Sequence, residues 1–114
     1  MSATILVADD DAPIVEIVAA VLEDEGHTVL RAYDGAEALA HLDRDGLDLL
    51  VTDNMMPRLS GVELVAHLHA HPRLAVPVIL MSAVTPVRMP PTVTFLPKPF
   101  DLDRLTSLVD RLLA

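Results

Sequence analysis

Short apolar runs that stop at a polar residue punctuate this chain. Ile5-Leu6-Val7-Ala8 ends in Asp9-Asp10-Asp11, and Leu47 to Thr52 ends at Asp53. Pro77-Val78-Ile79-Leu80-Met81 surfaces at Ser82, and Val93-Thr94-Phe95-Leu96 leads into Lys98-Pro99-Phe100. Each run is too short for an independent helix and rich enough in branched residues for a strand buried on both faces. Thr28 to Ala32 reads as one more strand.

Between the runs the period changes to that of a helix. Ile14, Ile17, Val18, Val21 and Leu22 recur at helical spacing after Pro13, whose missing N–H costs nothing at a helix start, and Gly26 closes the segment. Asp34 with Glu37 caps a helix through Ala38, Leu39 and Leu42 that stops near Gly46. Ser60-Gly61-Val62-Glu63 is a capping box, and the helix after it is expected to turn Val62, Val65, Ala66 and His69 inward before Pro72 ends it. Asp101 caps a last amphipathic helix carrying Leu102, Leu105, Leu108, Val109 and Leu112.

Strand and helix alternate throughout, which predicts an α/β fold: a doubly wound, five-stranded parallel sheet with right-handed crossovers and helices on both faces. One crossover departs from the pattern. From Ala83 to Pro91 there are nine residues, three of them proline (Pro86, Pro90 and Pro91), where a parallel crossover usually takes at least about 10 to 12. Each proline removes a donor and biases the residue before it away from helix. The fourth helix is therefore expected to be missing or cut to a single turn, with a proline-stiffened loop in its place.

Composition narrows the function. With 114 residues and 52% hydrophobic content, residues 1–114 read as one globular domain. No run of about 18 apolar residues and no basic segment followed by an apolar one is present, so neither a membrane span nor secretion is expected. The absence of cysteine fits a cytoplasmic protein. A net charge of −9 with only eight Lys and Arg argues against direct nucleic-acid binding and points to proteins or cations as partners.

In a parallel sheet every strand presents its C-terminal end to one edge, the edge where open α/β folds bind ligands. Asp9, Asp10, Asp53, Ser82 and Lys98 all fall there. Three carboxylates at short range repel one another unless a divalent cation binds, and oxygen ligands that leave room for water suit Mg²⁺. A carboxylate held near Mg²⁺, an ammonium and a hydroxyl can attack a phosphorus centre.

Taken together, Ile5-Leu6-Val7-Ala8-Asp9-Asp10, Asp53 with Met56-Pro57, Gly61, Ser82-Ala83 and Lys98-Pro99-Phe100 make the sequence resemble the receiver domain of two-component response regulators, the chemotaxis-regulator-like family. The resemblance covers essentially the whole chain. It implies a flavodoxin-like (βα)₅ sheet that accepts a phosphoryl group from a histidine kinase or phosphotransfer protein and switches a downstream protein partner. By position, Asp53 is the implied phosphoacceptor. Asp10, Asp53 and the backbone carbonyl of Met55 are the implied Mg²⁺ ligands, with Asp9 acting through water. Lys98 and Ser82 would contact the phosphoryl group, and a cis bond is implied between Lys98 and Pro99.

The family also implies that the side chains two residues after the phosphoacceptor and two after the switch hydroxyl flank the path of the hydrolytic water. Here they are Met55 and Val84, which cannot orient a water, so slow self-dephosphorylation is expected, with no enzymatic turnover beyond self-phosphorylation from a phosphodonor. At the switch position before Lys98 stands Phe95, which lacks the hydroxyl of a tyrosine, and Ser60 replaces the family's usual acid before Gly61. No output domain is expected after the last helix, either because the protein is a single-domain regulator or because the chain was cut. Without the usual fourth-helix face, the protein is expected either to meet partners through another face, such as that of the first helix, or to expose an apolar patch for a partner.

Other readings stay open at this point. Asp9-Asp10-Asp11 has the D-x-D spacing of a haloacid-dehalogenase-type phosphatase, with Asp9 as nucleophile, although Asp53 would then have no role. A degenerate receiver acting only as a protein-interaction module would need no phosphorylation. Asp11 suits the positive end of a helix dipole, and Ser82 could merely satisfy a turn. His67 and His71 lie one helical turn apart, a metal-ligand spacing, but with His69 they read more simply as solvated groups near the helix C-terminus. The pair Met55-Met56 reads as core filler.

Overall fold

A computed structural model of the chain describes residues 2–43, 46–84 and 89–114. The elements run β1 (Thr4–Ala8), α1 (Ala12–Asp24), β2 (Thr28–Ala32), α2 (Gly35–Leu42), β3 (Leu49–Asp53) and α3 (Gly61–Ala70). A 3₁₀ turn at Pro72–Leu74 follows, then β4 (Val78–Ser82), β5 (Val93–Pro97) and α4 (Leu102–Leu113). The strands form one sheet in the order β2-β1-β3-β4-β5, every pair parallel. Winding reverses between β1 and β3, so the connections that leave these two strands part and open a crevice at their C-terminal ends.

Both faces of the sheet are covered, which is why the strands read as unbroken apolar runs. Ile5, Val7, Leu49, Val51, Ile79, Met81 and Leu96 pack with α1 and α4 on one side. Leu6, Ala8, Leu50 and Val78 pack with α2 and α3 on the other. The caps form where the sequence puts them: Asp34 accepts from Glu37 N–H, Ser60 and Glu63 complete a reciprocal capping box, and Asp101 accepts from Arg104 N–H. Gly26 takes φ of +95° just past α1, a left-handed conformation that glycine adopts without a Cβ penalty.

Two helix faces differ from expectation. In α1 the buried stripe is Val15, Val18, Ala19 and Leu22, and Ile17 is 50% exposed, because the apolar arc is wider than the sheet can cover. In α3 the buried stripe is Gly61, Leu64, Val65 and Leu68, while Val62, Ala66 and His69 are exposed. The period is right and the phase is one residue off. Gly61 sets it: a Cβ there would stand 2.6 Å from the Asp53 carbonyl oxygen, so only glycine can face the sheet at that point.

Among the described residues the sheet carries four α-helices. Residues 83–84 and 89–92, between β4 and β5, are not helical, in line with a fourth crossover helix that is missing or reduced. Part of that segment, including Pro86, lies outside the described residues. Among the described residues no helix is long and apolar enough to cross a membrane.

Candidate functional site

β1 ends at Ala8, and Asp9 continues its line far enough for its N–H to donate to the Ala32 carbonyl at 3.2 Å. Its carboxylate is fully buried and doubly engaged: Oδ1 accepts from Asp11 N–H at 2.9 Å and Oδ2 from Lys98 Nζ at 2.8 Å. Asp53 is the last residue of β3, 6% exposed, with Oδ1 3.2 Å from the same Lys98 Nζ. Asp10 is exposed, yet oxygen atoms of Asp9, Asp10 and Asp53 all lie within 4.8 Å of one another. Lys98 reaches them because its N–H donates to the Ser82 carbonyl at 2.8 Å, holding the end of β5 to that of β4, and the Lys98–Pro99 bond is cis.

The electrostatics follow from this crowding. Burial, and next the charge of Asp9, push the Asp53 carboxyl above the usual carboxylate range, and Lys98 only partly opposes them. Burial alone would pull the Lys98 ammonium down, but the hydrogen bond and charge of Asp9, with those of Asp53, outweigh it and hold it above its ordinary value. Three carboxylates against one ammonium leave two negative charges uncompensated within the cluster. Hard oxygen donors with that residual charge fit a divalent cation such as Mg²⁺.

Ser82 closes β4 with its side chain buried, and its hydroxyl oxygen accepts from Val84 N–H at 3.1 Å. The hydroxyl proton remains free to donate. Met55, expected in the core, is instead 71% exposed, because the chain has already left the sheet two residues after Asp53; Met56 alone packs inward. Among the described residues the Met55 carbonyl accepts no backbone hydrogen bond. Val84 is 70% exposed beside the same edge. Phe95 on β5, paired with Leu80, is half-buried.

One organising residue escaped the sequence reading. Asn54 uses its carbonyl to accept Gly61 N–H and its side-chain Oδ1 to accept Val62 N–H, each at 3.0 Å, while its own N–H donates to Met81. It thereby docks the start of α3 against the residue next to Asp53. An asparagine directly after a strand and ahead of a helix start was the available signal. Between them Arg58 adopts φ of +73°, and Leu59 N–H donates back to Pro57, a γ-turn that brings the loop around to Ser60.

Residues 5–110 match the family described as the response regulator receiver domain. Response regulator MprA of Mycobacterium ulcerans is 37% identical over 119 residues, spanning 99% of this chain and 51% of its own length. Response regulator GtcR of Aneurinibacillus migulanus is 41% identical over 83 residues, 73% of this chain and 34% of its own. The chain thus spans about a third to a half of the length of the curated relatives it matches. Among solved structures, the receiver domain of the Francisella response regulator 1452 superposes with a TM-score of 0.86 at 31% identity, covering 97% of this chain and 96% of that one. The receiver domain of the hybrid histidine kinase CckA does so with a TM-score of 0.81, also at 31% identity, over 97% and 99%.

Proposed function

This chain belongs to the response regulator receiver domain family, whose work is phosphorelay signalling, and on that premise we propose that residues 1–114 act as one receiver unit taking a phosphoryl group on Asp53. The donor is a phosphohistidine of a histidine kinase or phosphotransfer protein, and the product state is read by a downstream protein partner. The observation that carries this reading is the single Lys98 ammonium shared between Asp9 and Asp53 at the β1/β3 crevice, with Asp10 beside them.

An Asp53 carboxylate oxygen attacks phosphorus, the P–N bond breaks, and the imidazole leaves with the bonding electron pair while Asp53 becomes an acyl phosphate. Lys98, already held as a cation, balances charge on the equatorial phosphoryl oxygens. The Ser82 hydroxyl can donate to one of those oxygens while still accepting from Val84 N–H. Asp10, Asp53 and the Met55 carbonyl would hold Mg²⁺ directly, and its charge would neutralise the incoming group. Asp9 suits an indirect role, because both its oxygens are already engaged. The same engagement and full burial make Asp9 a poor nucleophile, which counts against the phosphatase reading.

Intact-mass measurement after treatment with a small phosphodonor tests the proposal. One phosphoryl increment is expected, dependent on Mg²⁺ and absent in Asp53→Asn. Equal labelling of that variant would overturn it.

A further inference from the structure

His67 and His71 stand at the end of α3 opposite the crevice. His67 lies in the last turn of α3 and His71 at its C-cap, with ring centroids 4.4 Å apart and planes inclined by 32°. Each ring has one nitrogen committed to an oxygen that can only accept. His67 Nε2 is 3.0 Å from Oδ1 of Asp43, the residue that caps α2 at its C-terminus. His71 Nδ1 is 2.8 Å from the main-chain carbonyl oxygen of His67. That carbonyl is available because His71 leaves the helix and sends its own N–H to Leu68 at 3.1 Å.

A carbonyl has no proton to give, and neither does an ionised carboxylate, so the committed nitrogen of each ring is the donor. In the neutral rings that a metal ion would bind, His67 carries its proton on Nε2 and His71 on Nδ1. The lone pairs of His67 Nδ1 and His71 Nε2 are uncommitted among the described residues. Imidazoles that ligate metals are prepared in this way, with the other ring N–H donated to a carboxylate or a backbone carbonyl. Two metal–nitrogen bonds of about 2.0–2.1 Å span about 3.3 Å across a tetrahedral angle. Ring centroids 4.4 Å apart place the two imidazoles within reach of such a span.

We propose that His67 and His71 chelate a divalent transition-metal ion of the imidazole-binding class, with Asp43 as a positioning residue and water in the remaining coordination places. Imidazole favours Zn²⁺ or Cu²⁺ over Mg²⁺, whereas the carboxylates at the crevice favour Mg²⁺, so the two sites select different ions. They are also apart in space: the ten residues of α3 span about 15 Å, with Gly61 against Asp53 at one end and the histidines at the other. A bound ion would pin the end of α3 to the cap of α2 through the His67–Asp43 contact.

Zn²⁺ titration of the full chain in excess Mg²⁺, followed by imidazole ¹⁵N resonances and by calorimetry, tests this. His67 Nδ1 and His71 Nε2 should shift together, while His27, His41 and His69 stay in place. Affinity should fall about tenfold or more in His67→Ala and in His71→Ala, and at least about tenfold in Asp43→Ala. It should be unchanged in His69→Ala and in Asp53→Asn, so failure of phosphorylation and failure of this site are separable. Zn²⁺ affinity equal to wild type in both His67→Ala and His71→Ala would overturn the proposal. So would a response confined to Asp9, Asp10 and Asp53, or equal weakening by His69→Ala.

Discussion

Replacing Gly61 by alanine adds one methyl group where α3 meets the end of β3. That carbon would lie 2.6 Å from the Asp53 carbonyl oxygen, 2.8 Å from Leu80 Cδ1 and 3.0 Å from Asn54 Cα. The leucine tip can turn aside. The Asp53–Asn54 backbone cannot, because it is part of the sheet, so the first turn of α3 must retreat by about 0.8 Å to reach ordinary contact at 3.4 Å. Overpacking of this kind costs about 1–3 kcal/mol. The retreat also weakens the Gly61 and Val62 bonds to Asn54, together worth about 1 kcal/mol, while the better helix propensity of alanine returns up to about 1 kcal/mol. The net loss is about 1–3 kcal/mol. At about 2.1 cal/mol/K per residue, a chain of this length loses about 4 °C of Tm per kcal/mol, so Gly61→Ala should melt about 4–12 °C below wild type. Its phosphodonor labelling should also slow, because the retreat of α3 loosens the Asn54 bonds that brace the chain next to Asp53. Gly26→Ala serves as the contrast: its added carbon meets nothing within 4 Å, so it should pay only the left-handed strain of about 1–2 kcal/mol and label normally. A Gly61→Ala protein that melts within about 2 °C of wild type and labels at the wild-type rate would refute the steric argument.

Lys98→Ala leaves the buried carboxylates of Asp9 and Asp53 without their shared cation; a loss of about 3–5 kcal/mol is expected at pH 7.5, shrinking toward acid pH as Asp53, its pKa raised by burial, takes up a proton, and a loss in urea melts that does not shrink as pH falls would contradict it. Asp53→Asn should melt higher than wild type in EDTA at neutral pH. The folded-state pKa of Asp53 is raised, so its favourable contribution is complete below the unfolded value near 3.8 and is lost as pH rises through the folded one. The advantage of the asparagine should therefore vanish toward pH 4, and Mg²⁺ should stabilise the wild type more than the variant, since binding adds RT ln(1 + [Mg²⁺]/Kd) only where the ligands are intact. Met55→Asn and Val84→Glu each place a hydrogen-bonding side chain at an exposed position flanking the site; both should shorten the lifetime of the phosphoryl group in mass-spectrometric decay curves, and an unchanged rate would remove the hydrolysis argument.

The acidic and basic residues of the crevice were legible because each sits at the end of an apolar run, a signal contained in five or six neighbouring residues. Parallel topology does the rest: once strands alternate with helices, Asp9, Asp53, Ser82 and Lys98 must share an edge, whatever the helices between them do. The caps at Asp34, Ser60 and Asp101 were legible for the same reason, since a cap bonds only within its own first turn. Ile17 and Met55 are exposed against expectation because hydrophobicity says that a residue can be buried, and only the size of the covering sheet and the path of the loop decide whether it is.

The phase of α3 shows where local pattern yields to tertiary contact. Val62, Val65, Ala66 and His69 satisfy the helical period as well as Gly61, Leu64, Val65 and Leu68 do, so periodicity cannot choose between them. The choice is made at the N-terminus, where Asn54 takes two backbone donors of α3 and draws it so close to β3 that only a residue without Cβ can face inward. A glycine that would weaken the interior of a helix thus becomes the residue that sets its rotation. The same approach fixes the backbone of Asp53 from behind, so the register of α3 and the position of the Asp53 carboxylate are one constraint, and a substitution that disturbs either must disturb both.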